Sequence, residues 1–330
     1  MDLHTESNDL EKDILPDLPA GSARRSSLRI RPMLLVVLFF CFCCFCLYIA
    51  SIYVETHDEI QEENEDIYSL GGRIGNSSRV IREIREGLRR HSAAITISFG
   101  YNSDIFTELN STVEEWMEAA QQETGKPDEG DYIRWQLGGY TYKSSVSPSE
   151  DSWNYTVRIV PSYFTYYSQE EEVAEAVRKI RRSFHFLPWS GTEVRIRKIY
   201  AWLCENVSYD KVHRKNPYYH KCSTAYAALI QRTATCQGYC TAMYRLLREE
   251  GINCRIVTGT AGNEELHAWL IVEIKGKWYL LDPTWDAGSE VYQYYLLGSG
   301  ECEDRTPKDV FLTEDFLQGH PMAASRYTGN

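Results

Sequence analysis

Along this chain the spacing of apolar residues changes from segment to segment, and each spacing predicts a different element. Positions 33 to 54 form a run of 22 residues without a charge, close to the ~20 that cross a bilayer as a helix. Ile95, Ile97 and Phe99 alternate with polar neighbours, the period of a half-buried strand near 94–101. Helices are predicted on either side of it, near 78–90 and 111–124, followed by two aromatic strands near 132–145 and 153–167. Val173, Val177, Ile180 and Phe184 then share one helical face, with Ser168 and Glu171 spaced as a capping box ahead of them. Ser190 and Glu193 repeat that spacing before Ile196, Ile199, Tyr200 and Leu203.

A third helical run, with Met243, Leu246 and Leu247 at a 3.6-residue period, opens at Cys236 and stops at Gly251. A strand over 252–259, a loop over 260–265 and a strand from near His267 follow, with Leu270, Val272 and Ile274 alternating. Lys275-Gly276 makes a two-residue turn and the chain returns over 277–282 to Pro283. Such a turn pairs Ile274 with Lys277 and, counting outwards, Trp269 with Asp282. His267 is then one diagonal step from Asp282 on the same face.

Charge adds topology. Arg24, Arg25, Arg29 and Arg31 precede the charge-free run, whereas Glu55, Asp58, Glu59, Glu62, Glu63, Glu65 and Asp66 follow it. By the positive-inside rule, residues 1–32 are a cytoplasmic tail, 33–54 a transmembrane helix and 55–77 an acidic stalk on the far side. Beyond the stalk the expectation is a small α+β module over 78–168 and a catalytic domain over 169–330. The chain is thus read as a single-pass protein of the cell membrane with its catalytic domain extracytoplasmic. A formal charge of −12 excludes a nucleic-acid partner, which needs a concentrated basic face. Of the cysteines beyond the span, Cys204, Cys222, Cys254 and Cys302 could pair in three ways in an oxidising compartment.

The chemistry gathers in the last third. Cys236 falls in the first turn of its helix, where the dipole and free backbone N–H groups favour a thiolate and could hold an oxyanion. A lone helical cysteine is usually an inert core thiol. His267 and Asp282, meeting across one hairpin, change that: the carboxylate can accept from one imidazole nitrogen while the other faces the thiol. Tyr239, Trp269 and Trp285 are the candidate substrate-binding aromatics. His220, Cys222, Cys236 and Cys240 offer the ligand types of a zinc site, but their spacing matches no tight ligand set, and no calcium loop is present. No metal or cofactor is expected.

Ser223-Thr-Ala-Tyr-Ala-Ala-Leu229, Cys236-Gln-Gly-Tyr239, His267-Ala-Trp269 and Trp278-Tyr279 through Asp282-Pro-Thr-Trp-Asp286 occur in this order. Together they resemble the transglutaminase-like core, a branch of the papain-like thiol enzymes, and in particular its membrane-anchored bacterial members. The resemblance covers about 170–290. It implies an α+β fold in which a helix-start cysteine is followed by an antiparallel sheet, with Cys236 as nucleophile, His267 as base and acid, and Asp282 as orienter. It implies a protein or peptide amide as substrate, with the cell wall as a further partner. The other class kept open is a non-catalytic cell-surface or wall-binding module on the same fold. Leu270 where Asn is more usual, and Thr235 where a small apolar residue is common, depart from the family pattern.

Overall fold

The structure, a computed structural model, describes residues 78–329 apart from positions 103, 151 and 217. The tail, the membrane span at 33–54 and the stalk read from the sequence lie outside the described residues. Among those that are described, no helix is long and apolar enough to cross a membrane.

The first part is a three-stranded antiparallel sheet backed by helices. Helix α1 (Ser78–Arg89), strand β1 (Ile95–Tyr101) and helix α2 (Leu109–Ala120) are followed by helix α3 (Asp131–Gln136) and the long hairpin β2 (Leu137–Pro148) and β3 (Trp153–Tyr163). The strand order is β1-β3-β2. Ile95, Ile97, Val157 and Ile159 point inward by strand alternation and close over Ile84, Leu88, Val113 and Trp116 as a core of their own. The strand expected from 132 begins only at Leu137, because residues 131–136 coil instead. The buried Asp131 carboxylate there accepts from the Ile256 N–H at 2.8 Å and from Arg255 Nε at 2.9 Å. Those bonds clasp α3 to the larger sheet.

Helix α4 (Tyr167–Phe184) and helix α5 (Thr192–Asn206) follow, joined through the two-residue strands β4 (Ser208–Tyr209) and β5 (Thr233–Ala234) to helix α6 (Cys236–Glu249). The caps differ from the spacing-based expectation. At α4 the Gln169 side chain accepts from the Tyr166 N–H at 3.1 Å. Before α5 the Ser190 hydroxyl accepts from the Leu187 N–H at 3.0 Å, a turn that precedes the helix rather than capping it.

The larger sheet is antiparallel, in the order β10-β6-β7-β8-β9. Its strands are β6 (Cys254–Ala261), β7 (Glu265–Ile274), β8 (Lys277–Leu281), β9 (Tyr295–Leu297) and β10 (Arg305–Pro307). Lys275 and Gly276 both adopt positive φ, 53° and 76°, the backbone of a tight hairpin turn that fixes register. Ile274 accordingly faces Lys277, and Leu270 faces Leu281. One face of the sheet, with Ile256, Leu270 and Val272, packs on the fully buried Met243, Leu246 and Leu247 of α6. The other face buries Val257, Trp269, Ile271 and Trp278 under the C-terminal segment that includes a short helix α7 (Glu314–Gly319).

Candidate active site

The end of the β7/β8 hairpin and the start of α6 meet at a groove of about 1250 Å³, lined on its walls by Cys236, His267, Gly262, Thr284 and Trp285. The turn before α6 is pinned by Thr235. Its N–H donates to the Cys222 carbonyl at 2.8 Å, and its hydroxyl lies 2.9 Å from that of Ser223. A larger side chain than glycine cannot follow at 238, where a Cβ would stand 2.8 Å from both the Cys222 carbonyl oxygen and Ala234 Cβ. Gly238 therefore lets the first turn of α6 lie on the chain beneath it. Cys236 is left half-buried at the first position of the helix.

His267 reaches the same point from β7. Its Nε2 is 2.7 Å from Asp282 Oδ2, which leaves Nδ1 as the nitrogen for the Cys236 thiol, its other hydrogen-bonding neighbour. Asp282, fully buried just beyond β8, accepts from four donors. Oδ1 takes the Thr284 and Trp285 N–H groups at 3.1 and 3.3 Å, and Oδ2 takes Arg305 Nη2 at 2.6 Å besides the imidazole. Burial works against the carboxylate, but His267 and Arg305 outweigh it and hold Asp282 below the usual carboxylate range. Burial likewise works against a charged imidazole. The bonds to Asp282 and Cys236 outweigh it, and His267 is raised to about 9.

Of the three aromatics proposed from sequence, only Trp285 lines the groove. It is 37% exposed, and its ring centroid is 5.2 Å from that of His267. Tyr239 is fully buried and its hydroxyl donates to the Val207 carbonyl, so it belongs to the core. Trp269 packs with Ile271, Trp278 and Leu280 on the face of the sheet away from α6, its ring centroid 6.2 Å from that of His267. His220 and Cys222 do not join Cys236 in a metal site: His220 stacks on Phe164 and Cys222 donates to the Tyr219 carbonyl. Among the described residues no group of three or more His, Cys, Asp or Glu is placed to hold a metal.

All six described cysteines are free thiols. Cys204 also lines the groove, but burial, and then the nearby Asp286, push its thiol far up. It is a poor nucleophile beside one that touches a histidine. Three residues that the sequence reading passed over support the site. Arg305, its side chain 1% exposed, reaches Asp282 from the edge strand β10, and its guanidinium lies 4.3 Å over the Trp285 ring. Tyr200 donates to Asp286 Oδ2 at 2.6 Å, and Asp286 Oδ1 accepts from the Gln293 N–H at 2.8 Å. Both Tyr200 and Asp286 are buried. They tie down the loop that supplies Thr284 and Trp285. Asp286 stands within the motif run already noted, whereas nothing in the spacing around Arg305 marks it.

Residues 190–283 match the family model of the transglutaminase-like superfamily. The kyphoscoliosis peptidases of Mus musculus and Homo sapiens are each 28% identical to the chain over 133 residues, covering 37% of this chain and 18% of theirs. The chain thus spans less than a fifth of the length of these curated relatives. Among solved structures, a TGase is 15% identical with a TM-score of 0.31 over 58% of this chain and 51% of that one. A candidate cysteine protease from Cytophaga hutchinsonii is 14% identical with a TM-score of 0.27, over 58% of this chain and 72% of its own.

Proposed function

We propose that this chain, which belongs to the transglutaminase-like superfamily over residues 190–283 and is a cysteine enzyme, opens protein or peptide amides through an acyl-enzyme on Cys236. The observation that carries the reading is the hydrogen-bonded series Cys236–His267–Asp282, with the imidazole raised to about 9. At neutral pH that imidazole holds a proton. It can give it to the leaving amine after Cys236 Sγ has attacked the amide carbonyl carbon and the tetrahedral intermediate collapses. Asp282 keeps Nε2 engaged and so keeps Nδ1 directed at the sulfur. The developing oxyanion lies at the start of α6, whose first-turn N–H groups have no intrahelical acceptor.

Water or an amine then attacks the thioester carbonyl and releases the thiol. Hydrolysis would make the protein a peptidase or deamidase, and an amine would make it a transamidase. Trp285, against the imidazole, is the groove residue placed to screen the thioester from water. The charge-free run at 33–54, flanked by arginines before and carboxylates after, supports an anchored enzyme with residues 55–330 on the outer side of the cell membrane.

The reading is tested by the rate of Cys236 alkylation with iodoacetamide against pH, in wild type and His267→Ala, followed at the modified peptide by mass spectrometry. Fast labelling well below pH ~8.5, lost in the variant, supports an activated pair. An ordinary thiol profile unchanged by the variant overturns the enzyme reading and leaves a binding module on the same fold.

A further inference from the structure

Between Lys211 and Lys221 the chain carries four cations, Lys211, Arg214, Lys215 and Lys221, and no carboxylate, although its acidic residues outnumber its basic ones by 47 to 35. The turn that opens this stretch is fixed by its own hydrogen bonds. Asp210, 5% exposed, gives its N–H to the Ala234 carbonyl at 2.9 Å, two residues before Cys236. Its Oδ1 accepts from the Val212 and His213 N–H groups at 3.1 and 2.8 Å, and its Oδ2 stands 2.8 Å from His213 Nδ1. The His213 ring in turn lies against Tyr219, their centroids 4.3 Å apart. Lys211, Arg214 and Lys215, which this turn carries, all line the groove of Cys236 and His267.

Arg214 joins the loop to the sheet. It donates to Glu265 Oε2 at 3.3 Å, on β7 two residues before His267, and its guanidinium also meets the Tyr209 hydroxyl. Burial, and then the charge of a Cys236 thiolate, push that hydroxyl up, so the bridge lies within electrostatic reach of the sulfur. The pair is open to solvent, its side chains 34% and 70% exposed, and such a bridge is weak enough for an incoming carboxylate to take the place of Glu265. Besides the Asp210–His213 and Arg214–Glu265 pairs this stretch makes no ion pair among the described residues, so Lys211 and Lys215 are uncompensated. Glu205 is the remaining carboxylate on the described walls, and His267 is protonated at neutral pH. The groove therefore favours an anion although the chain as a whole carries −12.

We infer that Arg214, with Lys211 and Lys215 beside it, sets the specificity of the groove, and that the amide presented to Cys236 belongs to an acidic peptide with Asp or Glu side chains next to the reacting amide. The Arg214 fork can give a substrate carboxylate two parallel N–H bonds where Glu265 takes one. The inference rests on the amide reading for the fate of the bound peptide. The preference for negative charge is measured separately from the reactivity of the thiol.

The test compares the rates at which iodoacetate and iodoacetamide, a carboxylate and its neutral amide, alkylate Cys236 of the full-length protein in low salt. Their ratio cancels changes in the thiol itself and is readable whether or not Cys236 is activated. Relative to wild type the ratio should fall about threefold or more in Arg214→Gln and in the double variant Lys211→Gln/Lys215→Gln, and rise in Glu265→Gln, which frees Arg214. Lys179→Gln, at an exposed position on α4, changes the net charge by as much as Arg214→Gln and should leave the ratio unmoved. A blocked Glu-Gln-Glu tripeptide should protect Cys236 from iodoacetamide at about one-tenth of the concentration that a blocked Gln-Gln-Gln needs. A ratio indifferent to the loop variants, or equal protection by the two peptides, would overturn the assignment. The peptide comparison needs only the wild-type protein and decides even where a variant does not fold. A slow, ordinary iodoacetamide rate with a loop-dependent ratio would end the enzyme reading and still uphold the acidic preference.

Discussion

His267 and Arg305 donate to the same oxygen of one buried carboxylate: His267 Nε2 stands 2.7 Å and Arg305 Nη2 2.6 Å from Asp282 Oδ2. The carboxylate is thus shared between a group that titrates and one that does not. Arg305→Met takes a partner from a fully buried charge, a loss of about 3 kcal/mol in unfolding free energy. Arg305→Lys keeps the charge but not the planar stack on Trp285 at 4.3 Å and Tyr294 at 4.6 Å, and should lose less. With the cation gone, the imidazole is the one donor left of the two on Asp282 Oδ2 and the neighbouring positive charge is lost, so the His267 pKa should rise in Arg305→Met. Urea unfolding and an NMR titration of the His267 ring check both; an unmoved titration would make Arg305 a packing residue only.

The raised imidazole ties stability to pH with a definite sign. His267 binds its proton more tightly folded than unfolded, since its pKa is about 9 against an ordinary imidazole value of 6.5. Its contribution is therefore full below the unfolded value and is lost as pH rises through about 9. The stability gap between wild type and His267→Gln should shrink by on the order of 3 kcal/mol from pH ~6.5 to ~9.5. Asp282, held low, acts oppositely: its contribution is present above the ordinary carboxylate range and lost as pH falls through its lowered value. Urea unfolding at a series of pH values would show the gap, and a flat gap across the alkaline range would contradict the raised value.

Arg305 reaches Asp282 only because β10 lies against β6 at a glycine. A Cβ on Gly259 would stand 2.0 Å from the Thr306 carbonyl oxygen and 2.8 Å from Pro307 Cα, both backbone atoms. Gly259 is also the residue paired with His267 across β6 and β7. Gly259→Ala should force β10 outward, costing about 1–3 kcal/mol, and move the His267 titration in the direction of Arg305→Met. A wild-type titration in a destabilised Gly259→Ala protein would separate the strand contact from the site.

The hairpin was legible from sequence because a two-residue turn leaves no freedom of register. Once Lys275-Gly276 is read as the turn, the pairing of Leu270 with Leu281 follows, and His267 and Asp282 are carried to one end of it. The start of α6 at Cys236 was legible for a similar reason, since Gly251 and the period of Met243, Leu246 and Leu247 bound the helix. Arg305 was not. It sits in a three-residue edge strand after a long irregular stretch, where no period marks a buried position and a lone arginine reads as solvated. The helix at Asp131–Gln136 escaped as well, because its aromatic content matches a strand and its cause, the Asp131 bonds to β6, is tertiary.

Tyr239 shows where neighbourhood in sequence misleads. It lies three residues beyond Cys236, but at 1.5 Å per residue a helix entering the core has by then descended about 4.5 Å. There the ring is fully buried and its hydroxyl is spent on the Val207 carbonyl. Tyr239→Phe should cost about 1–2 kcal/mol by leaving that carbonyl without its donor. It should leave the Cys236 alkylation rate within about twofold of wild type. Trp285→Ala should do the reverse, changing the alkylation rate with less effect on stability, because its ring is part of the groove wall against His267. Side-by-side urea unfolding and alkylation rates for the two variants check this. A Tyr239→Phe protein of wild-type stability with altered labelling would return Tyr239 to the groove.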